Sequence, residues 1–283
     1  MFLARMQSCP LSFCAMAIIV HTNKQNIALT IAGSDSGGNA GIQADLLTMS
    51  ALDVHGTSAI TCLTSQNPDN VSQVFPVPPE YVIGQIDQVL RFFEVKALKT
   101  GMLFNEAIIK ALADYFKRIP NILKVIDPVM IASSGAKLLE DAAIAALKNN
   151  LLPQATLITP NLDEAAVLIG ERPTTPKAIE SCAQKIAKQY GVACLLKGGH
   201  MEGDRLIDIL ADKEGTLYKY ETHRIPNVNT HGSGCTLSAA ITAFLAKGLT
   251  LPDAVGKAHR YLQKALLAPK KLNGQSFIQH NIL

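Results

Sequence analysis

An α/β fold, with a mostly parallel central sheet flanked by helices on both faces, is predicted by three features of this 283-residue chain. Strand-length apolar segments alternate with helical patterns, polar signatures recur where the strands end, and a glycine turn opens an apolar helix near the C-terminus. The segments 27–32, 58–63, 97–100, 123–126, 156–158 and 193–196 are short, apolar and rich in β-branched residues, as strands buried on both faces are. Helical periodicity fills the intervals 41–52, 80–92, 105–117, 139–149, 162–169 and 176–189. A hairpin is expected next, 206–210 and 217–220 joined by Asp212-Lys213-Glu214-Gly215, and helices over 234–247 and 252–267 close the fold.

Bulk composition narrows the function classes. Lys plus Arg number 26 against 23 Asp plus Glu, scattered along the chain, so neither a nucleic-acid groove nor a polybasic membrane patch is indicated. The six cysteines, at 9, 14, 62, 182, 194 and 235, show no metal-ligand spacing, and reduced thiols in a cytoplasmic protein are expected. Residues 1–24 imitate a signal peptide, with Arg5 before an apolar run over 11–20, but the run is short and lacks a clear cleavage site. They are read as an extension preceding one domain over 25–283, with Met16 a candidate start.

In an open α/β sheet, ligands gather outside the carboxyl ends of the strands. Six successive strand ends here carry Gly33-Ser34-Asp35, Ser65-Gln66-Asn67, Gly101-Met102, Asp127-Pro128-Val129, Thr159-Pro160-Asn161 and Lys197-Gly198-Gly199-His200, which describes one long cleft. The first loop is glycine-rich but contains no G-x-G-x-x-G, and the chain has no G-x-x-x-x-G-K-[ST]. A hydride-transfer Rossmann enzyme and a P-loop kinase therefore both lose support. Asp45 is expected in the first turn of the following helix, either as a site carboxylate or as an ordinary solvated helix-start residue. The Gln66 amide complements a heteroaromatic ring bearing an amino group beside a ring nitrogen, and is equally a turn residue before Pro68. Met102 and Val129 suit the face of such a ring, or the core.

Asn161 and Glu164 have capping-box spacing at the start of a helix. The functional alternative is that Asp127 and Glu164 hold Mg²⁺, chiefly through water, against a polyphosphate, with Asn161 beside it. The run Asn229-Thr230-His231-Gly232-Ser233-Gly234-Cys235-Thr236 carries the sharpest signal. Amides from Thr230 to Gly234 at a helix N-terminus make an anion site, and the helix field is expected to lower the pKa of Cys235. The bland alternative is a loop-to-helix turn with a buried cysteine. His200 and His231 are read as loop residues.

Together these residues resemble the hydroxymethylpyrimidine kinase/phosphomethylpyrimidine kinase family of thiamine biosynthesis, within the ribokinase-like superfamily, over about residues 27–267. The resemblance rests on the 33–45 loop, Thr64-Ser65-Gln66-Asn67, Lys99-Thr100-Gly101-Met102, Asp127-Pro128-Val129-Met130, the 157–164 segment, Leu196-Lys197-Gly198-Gly199-His200 and the 229–236 turn. It implies a ribokinase-like fold without a large lid domain. It further implies that Gly33, Asp45 and Gln66 bind an aminopyrimidine, with Met102 and Val129 lining its pocket. Asp127, Asn161 and Glu164 would serve Mg-ATP, Lys197, Gly198, Gly199 and Thr230 would border the nucleotide, and Gly232, Ser233, Gly234 and Cys235 would form the catalytic anion hole. Sugar kinases of the superfamily carry an aspartate where Cys235 stands. Asn39 replaces a usual glycine, an exchange that left-handed backbone would tolerate in Asn, and Ser233 replaces a common threonine. A homodimer is implied. A pyridoxal (vitamin B6) kinase and a catalytically silent pyrimidine-binding sensor are the alternatives.

Overall fold

The computed structural model describes residues 25–130, 139–199 and 203–282, so the N-terminal extension, Met16 and His200 lie outside the described residues. The chain runs through β1 (Ile27–Asp35), α1 (Gly41–Ala51), β2 (His55–Asn67), β3 (Asn70–Pro76), α2 (Pro79–Phe92), β4 (Val95–Thr100), α3 (Glu106–Phe116), β5 (Leu123–Ile126) and α4 (Asp141–Ala146). It continues through β6 (Leu157–Ile158), α5 (Leu162–Ile169), α6 (Pro176–Tyr190), β7 (Ala193–Leu196), β8 (Arg205–Ala211), β9 (Leu217–His223), α7 (Ser233–Ala246) and α8 (Leu251–Leu267), and ends in β10 (Lys270–Leu272) and β11 (Gln275–Phe277).

Nine strands form one sheet in the order β3-β2-β1-β4-β5-β6-β7-β8-β9. The six strands from β2 to β7 in that order are parallel, and antiparallel pairs close both edges. Alternation along each strand feeds two cores. Leu29, Ile31, Leu98 and Ile126 pack with α2 to α6, whereas Ala28, Ala97 and Val125 pack with α1, α7 and α8. Small residues on the second face, met by Ala239, Ala240 and Ala243 of α7, let that helix lie close to the sheet.

This topology positions the site. From β1 the chain goes to β2 on one side and returns to β4 on the other, so the strand order reverses beside β1. A crevice opens at such a reversal, outside the carboxyl ends. The β1–β2 register shifts between Ala32 and Ser34, at Gly33, where the first loop leaves the sheet.

Three expectations need correction. The edge strand β3 was not anticipated: six of its seven residues are exposed, so no burial alternation marks it. The helix expected over 139–149 leaves α-geometry after Ala146 and passes through a π-helical turn, Leu147–Leu151, into a tighter turn at Pro153. The fold closes not on α8 but on the β10–β11 hairpin, whose three-residue strands are too short for a periodic signal. No described helix is long and apolar enough to cross a membrane. The described cysteines, 62, 182, 194 and 235, are all free thiols.

Candidate active site

The first loop is built around Asp35. Its carboxylate accepts the backbone N–H groups of Gly37 at 2.7 Å, Ala40 at 2.8 Å and Asn39 at 3.1 Å. Burial alone would raise its pKa; hydrogen bonding from His231 and from these amides outweighs burial and holds it below the ordinary value. Gly38 takes the left-handed conformation, at φ 75°, and Asn39 does not; Asn39 instead donates its side-chain amide to Gly37 O at 3.0 Å. Gly41 is required outright: with φ at 56°, a Cβ there would stand 2.4 Å from Gly33 O. At Gly33 itself a Cβ would meet Cys62 Sγ at 2.7 Å, so the strand end lies flat against β2.

Gln66 closes β2 beside this loop. Its side chain lies 3.2 Å from both Thr64 Oγ1 and His231 Nε2, and His231 Nε2 lies 3.7 Å from Asp35. A cavity of about 350 Å³ opens here, lined by Ser36, Thr64, Gln66 and Asn67 among others. Met102 and Val129 are partly exposed at their strand ends, as ring-face residues would be, and Met102 O accepts Thr61 Oγ1 at 2.6 Å. His231, expected as a plain loop residue, joins the Gln66 strand end to the Asp35 loop across 165 positions of sequence.

Asp45 is neither a first-turn nor a solvated residue. It faces the sheet from the second turn of α1 with no solvent exposure, its carboxylate accepting Lys99 Nζ at 2.7 Å and Thr30 Oγ1 at 2.6 Å. Burial raises the Asp45 pKa against the pull of Lys99, and the carboxylates around Lys99, Asp45 first, keep that lysine charged although burial disfavours it. Asp45 thus lies beneath the cleft floor. The signal for Lys99 in the sequence is a charged residue inside an apolar strand.

Across the cleft Asp127, at the end of β5, accepts Lys197 Nζ at 3.0 Å and Thr159 Oγ1 at 2.9 Å, and Ser238 Oγ stands at 3.5 Å. The capping box of α5 is formed in full: Asn161 Oδ1 accepts the amides of Asp163 and Glu164, and the Glu164 carboxylate accepts Asn161 N at 2.8 Å. Burial pushes the Glu164 carboxyl up to about 7; Lys197 opposes this and Asp127 adds to it. Gly198 N donates to Asp208 at 2.7 Å, and a Cβ on Gly198 would strike Ile207 O, 2.0 Å away; Gly199 faces open space.

The glycine turn meets both halves of the cleft. Side chains cap α3, α5, α6 and α8, while α1, α2, α4 and α7 have no side-chain cap; α7 differs in beginning on a glycine, Gly232, in left-handed geometry at φ 84°. Apart from Ser233 N, which Thr230 O takes, its first-turn amides have no capping oxygen and are open to a ligand. A Cβ on Gly232 would lie 1.9 Å from Asn39 O, in the first loop. At Gly234 it would face Lys197 Nζ at 3.4 Å and Asp127 Oδ2 at 3.8 Å. Ser233 N donates to Thr230 O at 2.9 Å, tightening the turn.

Cys235 reverses its expectation. The helix N-terminus was expected to lower its pKa; burial instead pushes the thiol up to about 11, with Lys99 opposing and Asp45 and Asp127 adding to the rise. The rise comes from desolvation first, with two carboxylates nearby adding to it.

No group of three or more His, Cys, Asp or Glu among the described residues is arranged to hold a metal ion. Asp127 and Glu164 offer oxygen donors beside a lysine, a set that fits a hydrated Mg²⁺ carried in on a polyphosphate rather than a protein cage.

The phosphomethylpyrimidine kinase family model matches residues 35–279. A hydroxymethylpyrimidine/phosphomethylpyrimidine kinase of Rhizobium meliloti is 47% identical over 247 residues, covering 87% of this chain and 92% of the relative. Among solved structures, an ADP complex of Bacillus subtilis pyridoxal kinase superposes with a TM-score of 0.83 at 36% identity, covering 91% of this chain and 98% of that one. The phosphomethylpyrimidine kinase of Clostridium difficile does so with a TM-score of 0.75 at 37% identity, covering 84% and 98%. With the sheet reversal, the uncapped glycine turn and the Asp127–Lys197 pair in place, the chain belongs to the phosphomethylpyrimidine kinase family, on a ribokinase-like α/β fold.

Proposed function

We propose that this protein transfers the γ-phosphoryl group of ATP to the 5-hydroxymethyl oxygen of 4-amino-5-hydroxymethyl-2-methylpyrimidine, and then to the resulting monophosphate, in thiamine biosynthesis. The observation that carries this reading is the position of the 232–235 turn. It touches the first loop at Asn39 on one side and faces Asp127 and Lys197 on the other, so an anion at the turn lies between an acceptor pocket and a nucleotide site. In the transfer the alcohol oxygen attacks the γ-phosphorus, the bond to ADP breaks, and the alcohol proton passes to Cys235 as thiolate.

Within this scheme Gln66 reads the amino and ring-nitrogen edge, and Gly33, Met102 and Val129 shape the slot around the ring. Asp45 acts from beneath that slot, its charge balanced by Lys99. The amides of Gly232 and Gly234 receive the phosphoryl oxygens, while Ser233, its own amide held by Thr230 O, fixes the turn that presents them. Lys197 borders the γ-phosphate while Gly198, Gly199 and Thr230 border the rest of the nucleotide. Asp127 and Glu164, with Asn161 beside them, would hold Mg²⁺, whose chemistry when bound is to neutralise phosphate charge. We further read 25–283 as one catalytic domain, acting in the cytoplasm as a homodimer on small molecules, without nucleic-acid or membrane partners.

Glu164 makes the metal requirement pH-sensitive. With its carboxyl near 7, a proton occupies it below that pH and must leave before a cation is held. The Mg²⁺ concentration for half-maximal rate is expected to rise by up to about tenfold per pH unit as the pH falls below 7. Glu164→Gln should flatten that dependence, measured by Mg²⁺ titration of ADP release between pH 5.5 and 8.

Pyridoxal kinase is the second reading, favoured by the superposition on the Bacillus subtilis pyridoxal kinase. ADP release with hydroxymethylpyrimidine, its monophosphate and pyridoxal at matched concentrations separates the two. Turnover of both pyrimidines well above pyridoxal is expected. Pyridoxal as the best substrate would establish the second reading, and no turnover at all would leave a silent ligand-binding protein.

A further inference from the structure

The C-terminal segment after α8 reaches back to the catalytic turn and holds it at both ends. Ahead of the turn, Asn229 N donates to Ser276 O at 2.8 Å, Asn229 bridges to Phe277, and the Asn229 side chain accepts His231 N at 2.9 Å. Behind it, His280 Nε2 lies 3.1 Å from Thr236 Oγ1, the residue next to Cys235. The Thr236 hydroxyl donates its one proton to Gly232 O at 2.9 Å, so the imidazole Nε2–H must be the donor to Thr236. A directed chain results: His280 N–H to Thr236 O–H to the carbonyl of the left-handed Gly232 on which α7 begins.

His280 is itself fixed. Its carbonyl accepts Tyr261 OH from α8 at 2.7 Å, Gln279 N donates to Ala265 O at 3.1 Å, and Phe277 and Ile278 are buried, Ile278 against Ala265 and Leu266. Burial, with Lys270 contributing, lowers the imidazole pKa to about 4, so the ring is neutral at physiological pH. A tail needed only to cover α8 would require the apolar residues alone. The polar chain instead ends on the residue that sets the direction of the first-turn amides.

We infer that His280 is a positioning residue of the phosphoryl-transfer site, acting through Thr236 on Gly232 to hold the turn at the start of α7 in its anion-binding geometry. Small displacements of such a turn cost rate rather than affinity, because the transition state needs the amides aligned more closely than the bound substrates do.

The test compares His280→Leu, His280→Gln, Thr236→Val and the double variant T236V/H280L with the wild type. Glutamine places an amide N–H near the position of Nε2. His280→Leu and Thr236→Val are expected to lower kcat by about tenfold or more with both KM values within about twofold, whereas His280→Gln stays within about threefold of wild type. Because both residues serve one chain, the double variant should be no slower than the worse single variant. The kinetic arm rests on the kinase reading. The second arm does not: hydrogen exchange of amides 232–236 in substrate-free protein should be faster in His280→Leu and near wild type in His280→Gln. Multiplying kinetic losses, a glutamine variant as slow as the leucine variant, or unchanged exchange in His280→Leu would each overturn the inference.

Discussion

Replacing Cys235 with alanine is expected to lower kcat for phosphorylation of the hydroxymethyl alcohol by about 10²-fold or more, and that for the monophosphate by less than about tenfold. The two acceptors differ in one respect that matters here. An alcohol must lose a proton as its oxygen bonds to phosphorus, while a phosphate monoester is largely ionised already near neutral pH. A base is therefore needed in the first reaction and not in the second. Since burial pushes the Cys235 thiol up to about 11, thiolate is scarce at pH 7 and grows with pH. The sign follows: the wild-type alcohol reaction should quicken by up to about tenfold per pH unit from pH 7 toward 10, the monophosphate reaction should not, and Cys235→Ala should lack the rise. Initial rates with both acceptors across that range decide it. Equal losses with the two acceptors, or a pH rise that survives the substitution, would make Cys235 a shape-giving residue of the turn instead of the base.

Lys99→Met is expected to cost about 3–5 kcal/mol of stability, since it strands the Asp45 carboxylate without solvent or counter-charge. Only Thr30 Oγ1 would remain of the two polar partners that carboxylate now has. The deficit must depend on pH in one direction. Burial already raises the Asp45 pKa, and without the lysine it rises further, so the folded variant takes up a proton more readily than the unfolded chain. Its stability is then retained at low pH and lost as the pH rises through the raised pKa. Urea unfolding at pH 5 and pH 8 should show the larger deficit at pH 8. Replacing both partners, K99M with D45L, should restore most of the stability, because a well-filled apolar pair can replace a buried ion pair at little cost. A single variant as stable as wild type at pH 8 would mean that Asp45 is neutral in the native protein.

How much of this was legible beforehand differs from residue to residue. The Asn161–Glu164 capping box was readable because both partners sit within one helical turn, where spacing alone dictates contact. The parallel sheet was readable because its strands are covered on both faces and carry near-continuous apolar runs. Strand β3 was not, being a largely exposed edge. Cys235 stands in the first turn of α7, as its sequence predicts, but its pKa moves up where the helix start alone predicts a fall. A helix end is a sequence feature, but the desolvation and the carboxylates that raise this thiol come from side chains on other elements.

The sequence by itself determined the alternation of strands and helices, the order of the polar strand ends, and the glycine turn at the start of an apolar helix. Local backbone preference and burial period are properties of neighbouring residues, and neighbours are what a sequence displays. Tertiary structure alone decided which groups meet: Lys99 with Asp45 across 54 positions, Asp127 with Lys197 across 70, Thr236 with His280 across 44. Those pairings depend on strand order and on the close approach of α7 to the sheet, and with them come the burial and charge that set each group's protonation. The chemistry of this cleft is therefore written in residue types, while its electrostatics arise from the packing.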